Sequence, residues 1–256
     1  MTDLEKAIKI VRETNNLLRR HFQTLGLDAV RLKKNEEIVT EADLAANRLI
    51  TKRLLQYFPN DDIISEEAKT IDNPGKDTWY VDPLDGTTNF SYGLRDFSTC
   101  LARVTPKKID IGVVGIPLAK EVYWAQNGGP AYLNGKKIAV STSVNHGSKV
   151  MILLCGGHTP LEQKKFIKII KNLDPNKIRL RILSSAGIES TAVACGRVDG
   201  FISTGVKPWD ILPGVLLIRA AGGKVTNLKG KEWTIKDSTI VASNGLVHEM
   251  LLDLAK

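Results

Sequence analysis

Apolar residues recur at three- and four-residue steps near the start of the chain: Leu4, Ala7, Ile8, Val11, Leu18 and Phe22. That spacing puts them on one helical face and predicts an amphipathic helix over residues 3–24, ended by Gly26. A second stripe, Leu44, Ile50, Leu54, Leu55 and Phe58, predicts a helix over about 43–57. Between them, Arg31 to Glu37 is polar and charged and predicts a mobile loop or a short hairpin. A turn at 59–62, a short strand at Ile63-Ile64 and a polar loop over 69–78 follow. Trp79-Tyr80-Val81 reads as a buried strand. Its ladder should stop at Asp82-Pro83, because proline donates no N–H. Strand-like runs at 98–104, 109–116 and 121–125 are joined by short turns, which makes them antiparallel neighbours. Asn134-Gly135 predicts a hairpin between Tyr132 and Ile138.

The pattern changes after a Ser-rich linker at 141–148. Strands at 150–155, 178–183, 200–202 and 239–242, with an edge strand at 224–226, alternate with helices at 161–172, 186–195, 209–221 and 246–254. We therefore expect an α+β part over residues 1–140 with a mainly antiparallel sheet. A smaller α/β part should follow over 141–256.

Composition narrows the class. A chain of 256 residues, 43% apolar and 25% charged, is long enough to bury a substantial core and has the balance of a soluble globular protein. No apolar run reaches the length of a membrane span, and the N-terminus has no signal-peptide core, so the cytoplasm is the expected compartment. Cys100, Cys155 and Cys195 are odd in number and lack CxxC spacing, which argues against a disulfide framework or a zinc site. His21, His146, His158 and His248 are scattered and form no metal or nucleophile pattern. The net charge of +8 is spread along the chain without a basic block or aromatic stripe. It reads as a solvated surface, or as attraction for anionic substrates; nucleic-acid or partner binding is the non-enzymatic alternative.

The candidate chemistry collects around Asp82-Pro83-Leu84-Asp85-Gly86-Thr87-Thr88-Asn89. Two carboxylates three residues apart at a strand exit can converge on one cation. Gly86 lets a ligand approach the backbone, and the N–H groups of Gly86, Thr87 and Thr88 face whatever sits over the turn. The plain alternative is a solvated Asp-Gly turn capping a short helix. Three more acidic positions share the setting of a strand exit or helix start. Asp43 could cap its helix, as could Thr40; Glu66, followed by Glu67, could be a surface pair; Asp210 could be a first-turn acid favoured by the helix dipole. Together, with no His or Cys nearby, they point to an oxygen-ligand site for Mg²⁺, with Mn²⁺ as the alternative. A hard cation beside a phosphate cradle suggests metal-assisted hydrolysis of a phosphate ester by a pair of ions, which Asp82 is best placed to bridge.

These residues resemble a known family. Asp82-Pro83-Leu84-Asp85-Gly86-Thr87-Thr88-Asn89-Phe90 is similar to the signature of the inositol monophosphatases, and Trp209-Asp210-Ile211-Leu212-Pro213-Gly214 to their second signature. Val39-Thr40-Glu41-Ala42-Asp43 and Ser65-Glu66-Glu67-Ala68 resemble two upstream motifs in the same order. The resemblance implies the layered αβαβα sandwich of the sugar phosphatases, often dimeric. It implies that Glu66, Asp82 and the Leu84 carbonyl hold a first metal, that Asp82, Asp85 and Asp210 hold a second, and that a third, weaker ion sits near Glu66. Asp43 and Thr87 would polarise the attacking water with Glu67 in support, and the N–H groups of Gly86 and Thr87 would bind phosphate. Water would attack in line, without a covalent intermediate, and Li⁺ would inhibit by displacing one Mg²⁺.

The turn Arg181-Ile182-Leu183-Ser184-Ser185-Ala186-Gly187 is similar to the family's substrate-recognition turn, with Ser184 for its first glycine and Gly187 for its last alanine. Substrate contacts are expected from Glu66, Asp85, Gly86, Thr87, Ser184, Ser185, Ala186, Ser203 and Asp210. Ser203 stands where many inositol-reading members carry a glutamate, and a serine reaches less far and carries no charge; the short 31–38 loop favours a broader range of esters, such as fructose 1,6-bisphosphate. The expectation is a phosphatase acting on a small phosphorylated polyol or sugar, inositol 1-phosphate first and fructose 1,6-bisphosphate second. Histidinol phosphate and 3′,5′-bisphosphate nucleotides follow.

Overall fold

In the seven-stranded sheet of this computed structural model, neighbouring residues of one strand belong to different cores. Leu101 packs with Ala7, Ile50 and Trp79 on one face, while Cys100 and Ala102 pack with Ile211 and Leu212 on the other. A strand sends successive side chains to opposite faces, so a sheet covered on both sides must be apolar at consecutive positions. That is why Ser98–Thr105 reads as a run rather than an alternation. The structure describes residues 1–23, 30–32, 38–67, 76–143 and 149–256.

The chain begins with α1 (Asp3–Gln23), a two-stranded hairpin β1 (Val30–Leu32) and β2 (Ile38–Thr40), and α2 (Glu41–Tyr57). The hairpin settles the choice left open for the polar segment, though residues 33–37 lie outside the described part. The first sheet has the order β3 (Asp62–Ser65), β4 (Thr78–Asp85), β5 (Ser98–Thr105), β6 (Lys108–Ile116), β7 (Glu121–Gln126), β8 (Ala131–Leu133) and β9 (Lys136–Ile138). A five-residue helix, α3 (Thr87–Ser91), follows β4. The pairs from β4 to β9 are antiparallel, as the short turns required, and only β3 runs parallel to β4.

The second sheet comprises β10 (Val150–Cys155), β11 (Ile178–Arg181), β12 (Gly200–Ser203), β13 (Lys224–Thr226) and β14 (Ile240–Ser243), in the order β11-β10-β12-β14-β13. It is parallel over β11-β10-β12 and antiparallel beyond, with Lys224–Thr226 at the edge. Its helices are α4 (Pro160–Lys171), α5 (Ala186–Ala194), α6 (Pro208–Ala220) and α7 (His248–Ala255). Of the expected linker, residues 144–148 lie outside the described part.

Three layers of helix alternate with the two sheets. α1 and α2 cover the outer face of the first sheet. α5 and α6 lie between the sheets, where Val193, Leu212 and Val215 meet Val114 and Tyr123 from one side and Leu153 and Phe201 from the other. α4 and α7 close the outer face of the second sheet through Ile169 and Leu251 against Ile152, Leu154 and Val241. The arrangement is the expected αβαβα sandwich. A helix buried on every side is apolar all round, and α5 and α6 are buried along almost their whole length. Close approach in the middle layer needs small residues: a Cβ on Gly112 would stand 3.0 Å from the Pro213 backbone. Among the described residues no helix is long and apolar enough to cross a membrane.

Candidate active site

Asp43 performs the capping task that its sequence setting suggested, and uses only one of its oxygens for it. Thr40 is the N-cap of α2 and Asp43 the third helical residue. Asp43 Oδ2 accepts the Thr40 N–H at 2.7 Å and the Thr40 hydroxyl at 2.5 Å. The reciprocal box leaves Oδ1 facing outward from the helix start. That oxygen accepts Thr87 Oγ1, 44 residues away, at 2.9 Å. The expected start of α2 moves from residue 43 to Glu41, because both partners of the box belong to the helix entrance.

Thr87 opens α3, and Gly86 before it is the N-cap in the left-handed region, at φ 89. A side chain is excluded there twice over: the backbone conformation is strained for an L residue, and a Cβ would stand 2.8 Å from the Asp96 carbonyl oxygen. The hydroxyl of Thr87 also lies 2.9 Å from the Leu84 carbonyl, so its single proton is shared between that oxygen and Asp43. The Leu84 carbonyl keeps lone pairs for a further ligand.

The strand carrying Asp82 and Asp85 does not stop at proline. β4 continues to Asp85, with a register irregularity between Asp82, opposite Cys100, and Asp85, opposite Ser98. The missing proline N–H falls within that irregularity, so the ladder is interrupted and then resumes. Both carboxylates are buried. Asp82 Oδ1 accepts the Leu84 N–H at 3.0 Å. Asp85 is more heavily supplied. Oδ2 accepts Ser98 Oγ at 2.7 Å, Ser185 Oγ at 2.5 Å and the Gly187 N–H at 2.8 Å, and Oδ1 accepts the Ala186 N–H at 3.2 Å. The start of α5 thus points at Asp85 from the middle layer.

Asp210 repeats the Asp43 device at α6. It is the third helical residue, and Oδ2 accepts the Lys207 N–H at 2.9 Å. Glu66 follows β3, its N–H donating to the Val81 carbonyl at 3.1 Å, which sets it beside the end of β4. Glu67 is half-buried, with its N–H on Ser65 Oγ at 3.3 Å. Ala68 lies outside the described residues.

The acids act on one another. Burial raises the Asp82 carboxyl well above the ordinary range, and Glu66, Asp85 and Asp210 push in the same direction. Asp210 is raised well above its usual value by burial and by Asp85 and Glu66. Asp85 is raised by burial in spite of its hydroxyl and N–H donors, and Asp43 by burial in spite of Thr40 and Thr87. Crowded, partly dehydrated carboxylates of this kind are relieved by a divalent cation. Among the described residues no three His, Cys, Asp or Glu side chains form a ready-made cage. Glu66, Asp82, Asp85, Asp210 and the Leu84 carbonyl offer oxygen donors of the kind a hard divalent cation takes.

The expected substrate wall is only partly directed at ligand. Ser184 is exposed and left-handed at φ 54, whereas Ser185 and Ala186 are turned inward to Asp85. Ser203, at the end of β12, is wholly buried and exchanges hydrogen bonds with the Gly205 backbone. Two residues escaped the sequence reading. Asn89 Nδ2 donates to the carbonyls of Asp96 and Leu183, both at 2.7 Å, tying α3 to the 183–185 turn. Glu189 accepts the N–H groups of Leu183 and Ser184. A lone acid inside the apolar run of α5 was the signal for it.

The model of the inositol monophosphatase family matches residues 1–256. A Thermotoga maritima protein named fructose-1,6-bisphosphatase/inositol-1-monophosphatase is 36% identical over 250 residues, covering 97% of this chain and 94% of that one. The Nus factor SuhB of Escherichia coli is 31% identical over the same shares. The inositol-1-monophosphatase of Mesorhizobium japonicum is 31% identical, covering 99% of this chain and 96% of its own length. Among solved structures, a Thermotoga maritima IMPase superposes with a TM-score of 0.87 at 33% identity, covering 100% of this chain and 97% of that one. The suhB protein of Bartonella henselae gives 0.89 at 28% identity, with 98% and 97% covered. This chain belongs to the inositol monophosphatase family.

Proposed function

We propose that this protein is a Mg²⁺-dependent phosphomonoesterase that hydrolyses a small polyol or sugar phosphate to the alcohol and phosphate, with inositol 1-phosphate as its first substrate. The observation that carries the reading is the Asp43–Thr87 hydrogen bond at the edge of the group formed by Glu66, Asp82, Asp85 and Asp210. Glu66, Asp82 and the Leu84 carbonyl would hold one Mg²⁺; Asp82, Asp85 and Asp210 a second; a third would lie near Glu66, and Mn²⁺ would substitute. When bound, the metal supplies positive charge to the phosphate oxygens and lowers the pKa of water. The chain does the rest. Thr87 Oγ1, held by Asp43, accepts a hydrogen bond from the attacking water and orients it, and Asp43 takes up the proton density. Glu67 supports this pair. The N–H groups of Gly86 and Thr87 hold the phosphate in line with the water. Ser184, exposed on its turn, would meet the alcohol, while Ser185, Ala186 and Ser203 stand behind it, held by Asp85 and by the Gly205 backbone. The reading includes a homodimer in the cytoplasm and inhibition by Li⁺.

A dual-specificity enzyme that also cleaves fructose 1,6-bisphosphate is the second reading. It is favoured by the name of the Thermotoga relative, 36% identical to this chain. The test is phosphate release from inositol 1-phosphate, fructose 1,6-bisphosphate, histidinol phosphate and adenosine 3′,5′-bisphosphate, each with and without Mg²⁺ and Li⁺. Turnover of inositol 1-phosphate that needs Mg²⁺ and falls with Li⁺ is expected. Absence of turnover on all four, combined with salt-sensitive binding to nucleic acid, would replace the enzyme by a binding protein.

A further inference from the structure

At Ser184 the chain passes through the left-handed region, φ 54, on an exposed turn. For a residue with a Cβ that conformation costs about 1–2 kcal/mol, so other groups must hold it. Asn89 does so from one side through the Leu183 carbonyl, at 2.7 Å. Glu189 does so from the other: its Oε1 accepts the Leu183 N–H at 3.1 Å and the Ser184 N–H at 3.2 Å. Glu189 is wholly buried, and its Oε2 accepts no N–H or O–H and has only the weak Cys155 thiol beside it. An acid left half-satisfied inside an apolar helix is costly to keep, and packing alone would be met better by an aliphatic residue. Immediately after the turn, Ser185, Ala186 and Gly187 give three hydrogen bonds to Asp85.

We propose that Glu189 is a positioning residue: by gripping the Leu183 and Ser184 N–H groups it fixes the turn that meets the substrate and presents the start of α5 to Asp85. This rests on the phosphatase reading given above. Burial pushes the Glu189 carboxyl up to about 8, with the Asp85 charge adding to the rise and the Leu183 and Ser184 N–H groups opposing it. An amide keeps the oxygen that accepts these two N–H groups, so Gln should replace it. The turn reaches the site through Asp85 and Asn89, whereas Asp43, Asp82 and Thr87 make their hydrogen bonds to Thr40, Leu84 or one another. Loosening the turn should weaken substrate binding more than turnover.

Glu189→Gln and Glu189→Met separate the roles, since both fill the site and only Gln offers an oxygen. Loss of two charge-assisted or amide contacts corresponds to roughly a tenfold effect or more. In saturating Mg²⁺ we expect KM for the best ester to rise about tenfold in Glu189→Met with kcat within about threefold, and Glu189→Gln to stay within about twofold of the natural protein in both. An unchanged KM in Glu189→Met, or equal losses in both variants, overturns the proposal. Amide hydrogen exchange tests the grip without activity or a folded Met variant. Leu183 and Ser184 should be protected about a hundredfold or more in the natural protein and in Glu189→Gln, and exchange at the rate of an open turn in either overturns the proposal. If the natural protein releases no phosphate, the phosphatase reading falls alone, and these exchange rates still decide the grip.

Discussion

Asp82 and Asp85 are three residues apart and both buried, yet they are held differently. Asp85 accepts hydrogen bonds from Ser98, Ser185, Ala186 and Gly187, so its position is set before any ligand arrives. Asp82 has the Leu84 N–H and the field of three other acids. It therefore gains most from a cation. Replacing Asp82 or Asp210 by Asn keeps shape and removes a charge. Each should lower kcat by at least about 10³ in saturating Mg²⁺. The fold should survive, and metal-free Asp82→Asn should melt no lower than the natural protein, because a repulsive buried charge is gone. Turnover near the natural value in either variant, with phosphate release as the assay, would remove these residues from the mechanism.

At the level of elements, one local device recurs. α2 and α6 each begin with an acid at the third helical position that returns one oxygen to the N-cap backbone and keeps the other for the site. The cap and the proposed catalytic role of Asp43 are thus compatible, because they use different oxygens. Sequence alone offers them as rivals because it carries no information on where the second oxygen points. The helical stripes, the antiparallel run from β4 to β7 and the acids themselves were legible, since periodicity and turn chemistry are local. The passage of β4 through Pro83 and the grip of Glu189 on the 183–185 turn were not, because each depends on partners brought in by tertiary packing: Ser98 across the sheet, and Leu183 and Ser184 bent back by a left-handed turn. The shared device makes a prediction. Thr40→Ala removes the cap and should cost about 1 kcal/mol in denaturant unfolding. It should also lower kcat by about threefold to tenfold, since Asp43 keeps the residue-40 N–H but loses the hydroxyl that helps aim it at Thr87. Thr40→Ser keeps the hydroxyl and should retain both. A stability loss without a loss of turnover would show that Asp43 is aimed by something other than its cap.

For the whole molecule, the site is a junction. Asp82 and Asp85 come from the first sheet, Asp43 from the outer helical layer, and Asp210 from the middle layer that packs against both sheets. A cation shared by Asp82, Asp85 and Asp210 would join these layers, and should stabilise the fold as a unit. The sign of its pH dependence follows from the raised carboxyls. In the metal-free protein these groups bind protons more tightly folded than unfolded, so they favour folding most below the unfolded carboxyl pKa of about 4. That contribution is lost as pH rises through their elevated folded values. Mg²⁺ competes with those protons, so its effect must run the other way and grow with pH. At Mg²⁺ a hundredfold above its dissociation constant, near pH 8, stabilisation of about 2.7 kcal/mol is expected. For a chain of this length that is a rise in Tm of roughly 5–10 °C. At pH 5 the rise should be less than about half as large, because protons already hold the site. In Asp210→Asn it should shrink at both pH values. Calorimetric melting with EDTA and with Mg²⁺ measures this directly. A Mg²⁺ shift that is equal at pH 5 and pH 8, or unaffected by Asp210→Asn, would mean that the ion binds elsewhere than among these carboxylates.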